Sequence, residues 1–235
     1  MSTIKYRVEQ KYLVSDLDIA LIAGRLNAVM EADVHQDGDC YEVRSIYLDD
    51  AWNSCMDENE DGVDDRKKYR IRTYDTPDAP VRLEIKEKYR GYTKKSGTIL
   101  DQETYESILS GDGFPEFGSD PVMNQLLLQM RCRKLEPKVA VVYQRTAYVC
   151  PTGNVRITFD RNIMASRDLD SFLDPHVGGL VPVLPAGMHV LEVKYDELLP
   201  DVIAGQLEIG KLRQTAFSKY YLGRLAVNGE FPVGK

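Results

Sequence analysis

Charged residues recur at every second position in five separate stretches of this 235-residue chain. They are Arg7-Glu9-Lys11, Arg70-Arg72, Arg82-Glu84-Lys86-Lys88, Arg156-Asp160 with Thr158 between them, and Glu192-Lys194. The alternate positions carry Val8, Ile71, Leu83, Ile85, Ile157, Phe159, Leu191 and Val193. Successive side chains of an extended backbone point to opposite sides, so each stretch reads as a β-strand with one apolar and one polar face. The apolar faces need cover, which the helices between the strands can supply. The polar faces are rich in Lys and Arg with a few carboxylates, the make-up of a surface that holds a polyanion.

The rest of the chain is not basic. Its formal net charge is −7, which argues against a general binder of nucleic acid or of anionic membranes. Basic faces in an acidic chain concentrate positive potential where a ligand sits. At 43% hydrophobic residues the chain can bury a full core. No apolar run approaches the roughly 20 residues that span a bilayer, and residues 1–8 lack a signal-peptide core. A cytoplasmic protein is expected. The four cysteines, Cys40, Cys55, Cys132 and Cys150, form no C-x-x-C pair and read as reduced thiols.

Strands are expected at 4–14, 40–48, 66–74, 81–89 and 188–195, with a hairpin joining 139–149 to 154–160 through Pro151-Thr152-Gly153. Residues 75–80 form the turn between the third and fourth strands. A helix follows a cap at Ser15 or Asp16, a short one covers 102–110, another starts at Asp120-Pro121, and the C-terminus is helical to about 227. Residues 49–65 read as a long acidic loop. Asp57, Asn59 and Asp61-Gly62 copy half of a calcium loop, but Lys68 stands where the bidentate Glu is required, so no Ca²⁺ site is expected. Hairpins with inserted helices make the chain α+β, in one domain over 1–235. Neither G-x-G-x-x-G nor a P-loop occurs. Two arrangements suit the strands: an open sheet with its charged face in solvent, or a closed aqueous tunnel with an anionic occupant. Pattern alone leaves both open.

Several blocks of residues carry a resemblance. Tyr6-Arg-Val-Glu-Gln-Lys-Tyr-Leu-Val14 is similar to the opening strand of the VTC domain, the catalytic domain of polyphosphate polymerases. The resemblance continues through Ser45-Ile-Tyr-Leu-Asp49, Lys68-Tyr-Arg-Ile-Arg-Thr-Tyr74, Leu83-Glu-Ile-Lys86 and Tyr143-Gln-Arg-Thr-Ala147. It resumes at Arg156-Ile-Thr-Phe-Asp160, Val190-Leu-Glu-Val-Lys-Tyr195 and Phe217-Ser-Lys-Tyr220. These blocks fall in family order over nearly the whole chain. The resemblance implies an eight-stranded antiparallel β tunnel of the triphosphate tunnel metalloenzyme type, with helices packed outside. That wider group opens with Glu-x-Glu-x-Lys, whereas the first position here is Arg7. One carboxylate is thus replaced by a cation, which weakens the case for a two-metal triphosphatase.

The activity implied is transfer of the ATP γ-phosphoryl group to a growing polyphosphate chain, with Mn²⁺ or Mg²⁺. The resemblance carries phosphate-handling roles onto Lys11, Arg70, Arg72, Lys86, Arg145 and Lys219. Substrate contacts are expected from Tyr143, Lys88, Lys94, Arg156, Lys194 and Ser218, with Lys95 an equal alternative to Lys94. Glu192 is the expected metal ligand, assisted by Glu9; Glu84 is a further candidate, and Asp160 reads as structural. ATP and inorganic polyphosphate are the expected partners, and export of product across a membrane would need a separate partner. A triphosphatase or polyphosphate hydrolase on the same fold, or a non-catalytic polyanion-binding module, remain as alternatives.

Overall fold

The computed structural model describes residues 7–230 apart from 35, 37, 76–78, 90, 91, 209 and 210. Positions 4–6 of the first expected strand and 76–78 of the expected turn therefore lie outside the described residues. The chain is α+β with a mostly antiparallel sheet. Among the described residues, eight strands have eight or more residues. Its contacts cluster into two compact units.

The first unit comprises residues 1–42, 143–163 and 184–217. It contains β1 (Arg7–Ser15), α1 (Asp16–Leu26), β2 (Glu31–Ala32), residues 143–150 of β7 (Glu136–Cys150) and residues 155–163 of β8 (Val155–Ser166). β10 (Met188–Asp196), α5 (Asp201–Leu207) and β11 (Arg213–Gln214) complete it. Its strand order is β11-β1-β10-β8-β7. Tyr12 and Val14 of β1, Ile157 and Phe159 of β8, and Leu191 and Val193 of β10 turn to one side of this sheet. There they pack on Ile19, Ile22 and Leu26 of α1 and on Ile203 and Leu207 of α5. Apolar alternation thus becomes the core, and the two helices close it.

The start of α1 shows why the chain turns at Ser15. Its hydroxyl accepts the Asp18 amide at 3.2 Å, and the Asp18 carboxylate accepts the Ser15 amide at 2.8 Å. This reciprocal pair satisfies two amides the helix cannot. Ser15→Ala is expected to cost about 1 kcal/mol, read as a lower urea midpoint with an unchanged slope.

The second unit comprises residues 43–142, 164–183 and 218–235. Its sheet runs from residues 43–49 of β3 (Tyr41–Asp49) through β4 (Arg66–Tyr74) and β5 (Arg82–Tyr89) to β6 (Tyr92–Ile99). Ile46, Tyr69, Ile71, Leu83 and Ile85 form the apolar face. Tyr105 and Ile108 of α3 (Gln102–Ser110) cover it, with Leu126 and Met130 of α4 (Pro121–Arg133). α4 is capped by Asp120, with Pro121 at its first position. The unit also holds β9 (Val181–Pro182) and α6 (Lys219–Val227).

Three segments depart from expectation, the first being the C-terminal stretch expected as helix, which β11 interrupts between α5 (Asp201–Leu207) and Lys219–Val227. Residues 92–99 were not expected as a strand, because Thr93-Lys94-Lys95-Ser96-Gly97-Thr98 shows no apolar alternation; antiparallel pairing to β5 makes them β6. The acidic stretch 49–65 is not all loop: it contains α2 (Ser54–Glu60). Asp50 accepts the Trp52 and Ser54 amides at 3.0 Å, and Asp49 accepts those of Cys55 and Met56 at 2.9 and 3.1 Å. Two buried carboxylates thus take up amides that a helix start leaves unpaired.

Candidate active site

In the first unit, the side of the sheet opposite the apolar core carries the charges. Cross-strand register puts Lys11 opposite Glu192, Glu9 opposite Lys194, and Lys194 opposite Arg156. Four of these side chains close a ring of alternating sign. Lys11 Nζ lies 3.3 Å from Glu9 Oε1 and 3.9 Å from Glu192 Oε1. Lys194 Nζ lies 3.0 Å from Glu192 Oε2 and 3.9 Å from Glu9 Oε2. Each lysine thus bridges the same two carboxylates. Burial, partly opposed by Glu192 and Glu9, pulls the Lys194 ammonium below the usual lysine range.

Arg145 reaches the ring from β7. Its Nη2 is 3.8 Å from Glu192 Oε2, and its guanidinium lies 5.2 Å from the centre of the Tyr143 ring. Most of its fork is engaged elsewhere, by Asp160, which accepts from Nε at 2.6 Å and from Nη2 at 2.8 Å. Asp160 is fully buried. Arg156 bonds Asp33 and donates to the Tyr41 hydroxyl at 3.3 Å. Lys11 also donates to the Phe217 carbonyl at 3.0 Å.

The donor chemistry fits a divalent cation of the Mg²⁺ or Mn²⁺ kind. Such ions take one or two carboxylates and complete their shell with phosphate oxygens and water. Glu192 and Glu9, tied together by two lysines, would be those carboxylates. Among the described residues no group of three or more His, Cys, Asp or Glu side chains is arranged to hold a metal. Two carboxylates are fewer protein ligands than an all-protein cage supplies.

The second unit has a charged face of its own. Arg70 is paired across β4 and β5 with Glu84, its Nε 2.6 Å from Oε2; Arg72 Nη1 lies 3.7 Å from the same oxygen. Arg72 Nε also donates to Ser45 Oγ at 3.4 Å. Burial raises the Glu84 pKa, but Arg70 and Arg72 outweigh it and hold the carboxyl below the usual range. Lys86 follows Glu84 on this face, and Lys88, at its end, pairs with Asp64 at 2.9 Å.

At the start of α6, the Ser218 hydroxyl accepts from Lys68 Nζ at 3.2 Å and from the Tyr221 amide at 3.4 Å. Lys219 begins that helix. Tyr47, opposite Arg70 on β3, has its ring 5.6 Å from that of Tyr220. Burial raises the Tyr47 phenol, but Arg70, Arg72 and Lys219 pull it below the usual tyrosine range. These groups make a strongly positive field around one hydroxyl. The Tyr220 hydroxyl bonds the buried Asp49 carboxylate and accepts from Arg224 at 2.9 Å, latching α6 to the strand end that carries Asp49.

Register settles which lysine of β6 joins this face. Lys95 lies opposite Lys86, and Lys94 lies opposite Glu87, on the other side of the sheet. Lys94 Nζ is 3.8 Å from Glu87, which also binds Lys67 at 2.6 Å. Of the two alternatives, Lys95 is the one that shares a face with Lys86. Lys95→Ala is expected to weaken tripolyphosphate binding about ten-fold, and Lys94→Ala to change it less than two-fold, by titration calorimetry.

Ser45, Tyr47, Lys68 and Asp33 were not among the expected site residues. Alternation along β3 and β4 was the available signal for the first three. Asp33, in a segment without strand pattern, had none.

The family model for the VTC domain matches residues 6–228. No curated protein matches the chain. Among solved structures, the chain is similar to a putative adenylyl cyclase from Hippeastrum, HpAC1, described as revealing a dominant triphosphatase activity. Identity is 12%, 94% of this chain and 97% of that one are covered, and the TM-score is 0.53. It is also similar to a putative adenylate cyclase from Bacillus halodurans, at 12% identity, with 87% of each chain covered and a TM-score of 0.50. At these identities the likeness concerns the fold.

Proposed function

The chain belongs to the VTC domain family, of the triphosphate tunnel superfamily, and from that premise we propose that it is an ATP-dependent polyphosphate polymerase. The observation that carries this reading is Glu192, with Lys194, Arg145 and Lys11 within 4 Å of its two oxygens. A polyanion-binding surface gains nothing from a buried carboxylate among its cations. A phosphoryl transferase does, because that carboxylate can share a divalent ion with the reacting phosphates.

The terminal phosphate oxygen of a polyphosphate chain is ionised at neutral pH, so its attack on the ATP γ-phosphorus needs no strong general base. What the reaction needs is neutralisation of charge and in-line alignment. Arg70 and Arg72 suit forked contacts to nucleotide phosphates, as planar guanidinium groups do. Lys86, Lys95 and Lys219 are point charges for further phosphate oxygens, and the Ser218 end of α6 presents amides to an anion. Lys11 and Arg145 act as cations for the phosphates shared with Glu192. Mn²⁺ or Mg²⁺, when bound, supplies added neutralisation of the phosphate oxygens.

The test is direct. Purified protein is incubated with ATP and Mn²⁺ and the phosphate chains are resolved on a gel. Polymer longer than the nucleotide's own triphosphate is the expected product. Free phosphate without polymer would instead assign a triphosphatase or polyphosphate hydrolase. Unchanged ATP with tight polyphosphate binding would leave only a binding module. No helix among the described residues is long and apolar enough to cross a membrane.

A further inference from the structure

The ring formed by Glu9, Lys11, Glu192 and Lys194 has a consequence for the order in which ligands enter. Both oxygens of Glu192 face cations: Oε1 lies 3.9 Å from Lys11, and Oε2 lies 3.0 Å from Lys194 and 3.8 Å from Arg145. Glu9 likewise has Lys11 on one oxygen at 3.3 Å and Lys194 on the other at 3.9 Å. Two positive and two negative charges alternate, so the ring is neutral without any added ion. Glu192 and the Lys194 head are also largely withdrawn from solvent, where water cannot screen a third cation.

We infer that Lys194, with Lys11, serves as the resident counter-ion of the Glu9–Glu192 pair and bars a divalent cation until phosphate oxygens draw the ammonium groups away. The phosphate chain therefore binds first or brings its metal with it, and the free protein does not hold the metal alone. The inference rests on the reading of Glu192 as the metal carboxylate. Each ammonium that turns from carboxylate to phosphate keeps a charged partner, and the carboxylate it leaves becomes available as a ligand. A long, unbranched side chain such as Lys can make that exchange by rotation of its own stem. Arg145 is fixed by its two bonds to Asp160 and stays in place. The device would keep Mn²⁺ or Mg²⁺ from occupying the site without substrate.

Binding measurements test this without reference to turnover. Free Mn²⁺ is followed by its paramagnetic resonance signal as protein is added, with no phosphate compound present. The wild-type protein is expected to bind Mn²⁺ only at millimolar concentration. Lys194→Met, which keeps the stem and removes the charge, is expected to tighten it at least ten-fold. Lys11→Met serves as a second variant should Lys194→Met not fold, with the same direction expected. Adding Glu192→Gln to either variant should return the affinity to the wild-type value, which assigns the gain to this site. Tripolyphosphate should still bind the wild-type protein in EDTA, by calorimetry. Tight Mn²⁺ binding by the wild-type protein alone, or no gain in either lysine variant, overturns the inference. So does a gain that survives Glu192→Gln. None of these outcomes depends on the gel assay, and a protein that makes no polymer can still show or lack the ring effect.

Discussion

Glu192→Gln is expected to lower the rate of ATP consumption about a thousand-fold while tripolyphosphate binding without metal is unchanged or tighter. The two halves of that outcome come from one geometry. The carboxylate has three cations within 4 Å, Lys194, Arg145 and Lys11. Turning it into an amide removes a negative charge from their midst, so the local field becomes more positive and an anion is held at least as well. The same change removes the strongest divalent-cation ligand of the proposed site, and with it the neutralisation that the transferring phosphoryl group needs. The amide keeps the shape of the side chain, which limits the loss of packing at a buried position. Rates at saturating ATP, thermal unfolding and calorimetry on one preparation separate these effects. A variant that turns over normally would remove Glu192 from the role proposed for it. A variant that loses anion binding along with turnover would make the residue a structural tie among the cations.

Much of this arrangement could be read from alternation, and the reason is geometric. Arg70 and Arg72, Glu84 and Lys86, Glu192 and Lys194 each sit two residues apart, and a strand puts such pairs on one face whatever the rest of the chain does. Ile71, Leu83, Ile157, Phe159, Leu191 and Val193, all fully buried, had to form the other face for the same reason. Local caps were equally legible, since Ser15 with Asp18 and Asp120 with Pro121 act within a single turn. What escaped depends on register between segments. β6 has no apolar period, so only its pairing with β5 tells Lys95 from Lys94. The helix α2 depends on carboxylates at Asp49 and Asp50 that accept amides up to seven residues away, a length beyond ordinary capping patterns. The pairing of Arg145 with Asp160 was within reach. A hairpin turning at 151–154 sets the two residues at nearly equal distances from its tip, and alternation alone does not make use of that symmetry.

That pair carries the largest expected effect on stability. Asp160→Leu is expected to cost about 3–5 kcal/mol, because it leaves the Arg145 guanidinium in a buried site without its two-point partner. Asp160 is completely buried, and the Arg145 side chain is 11% exposed. Burial works against the charged form of Arg145, yet Asp160 more than offsets it and raises its pKa. Glu192 is the one other carboxylate within 4 Å of that guanidinium among the described residues, at 3.8 Å, and its oxygens already serve two lysines. Removing both charges tells a different story from removing one. Asp160→Leu combined with Arg145→Met deletes the buried cation along with its partner, so the double variant should unfold at a higher urea concentration than Asp160→Leu alone. The sign of that difference separates an ion pair that holds its strands through mutual compensation from one whose members act independently. If the double variant is the less stable of the two, the guanidinium contributes through packing against Tyr143 and not through Asp160. If it is the more stable, Asp160 contributes by compensating the buried Arg145 charge. The double variant should then fold yet bind tripolyphosphate more weakly, since the cation that Asp160 positions beside Glu192 is gone.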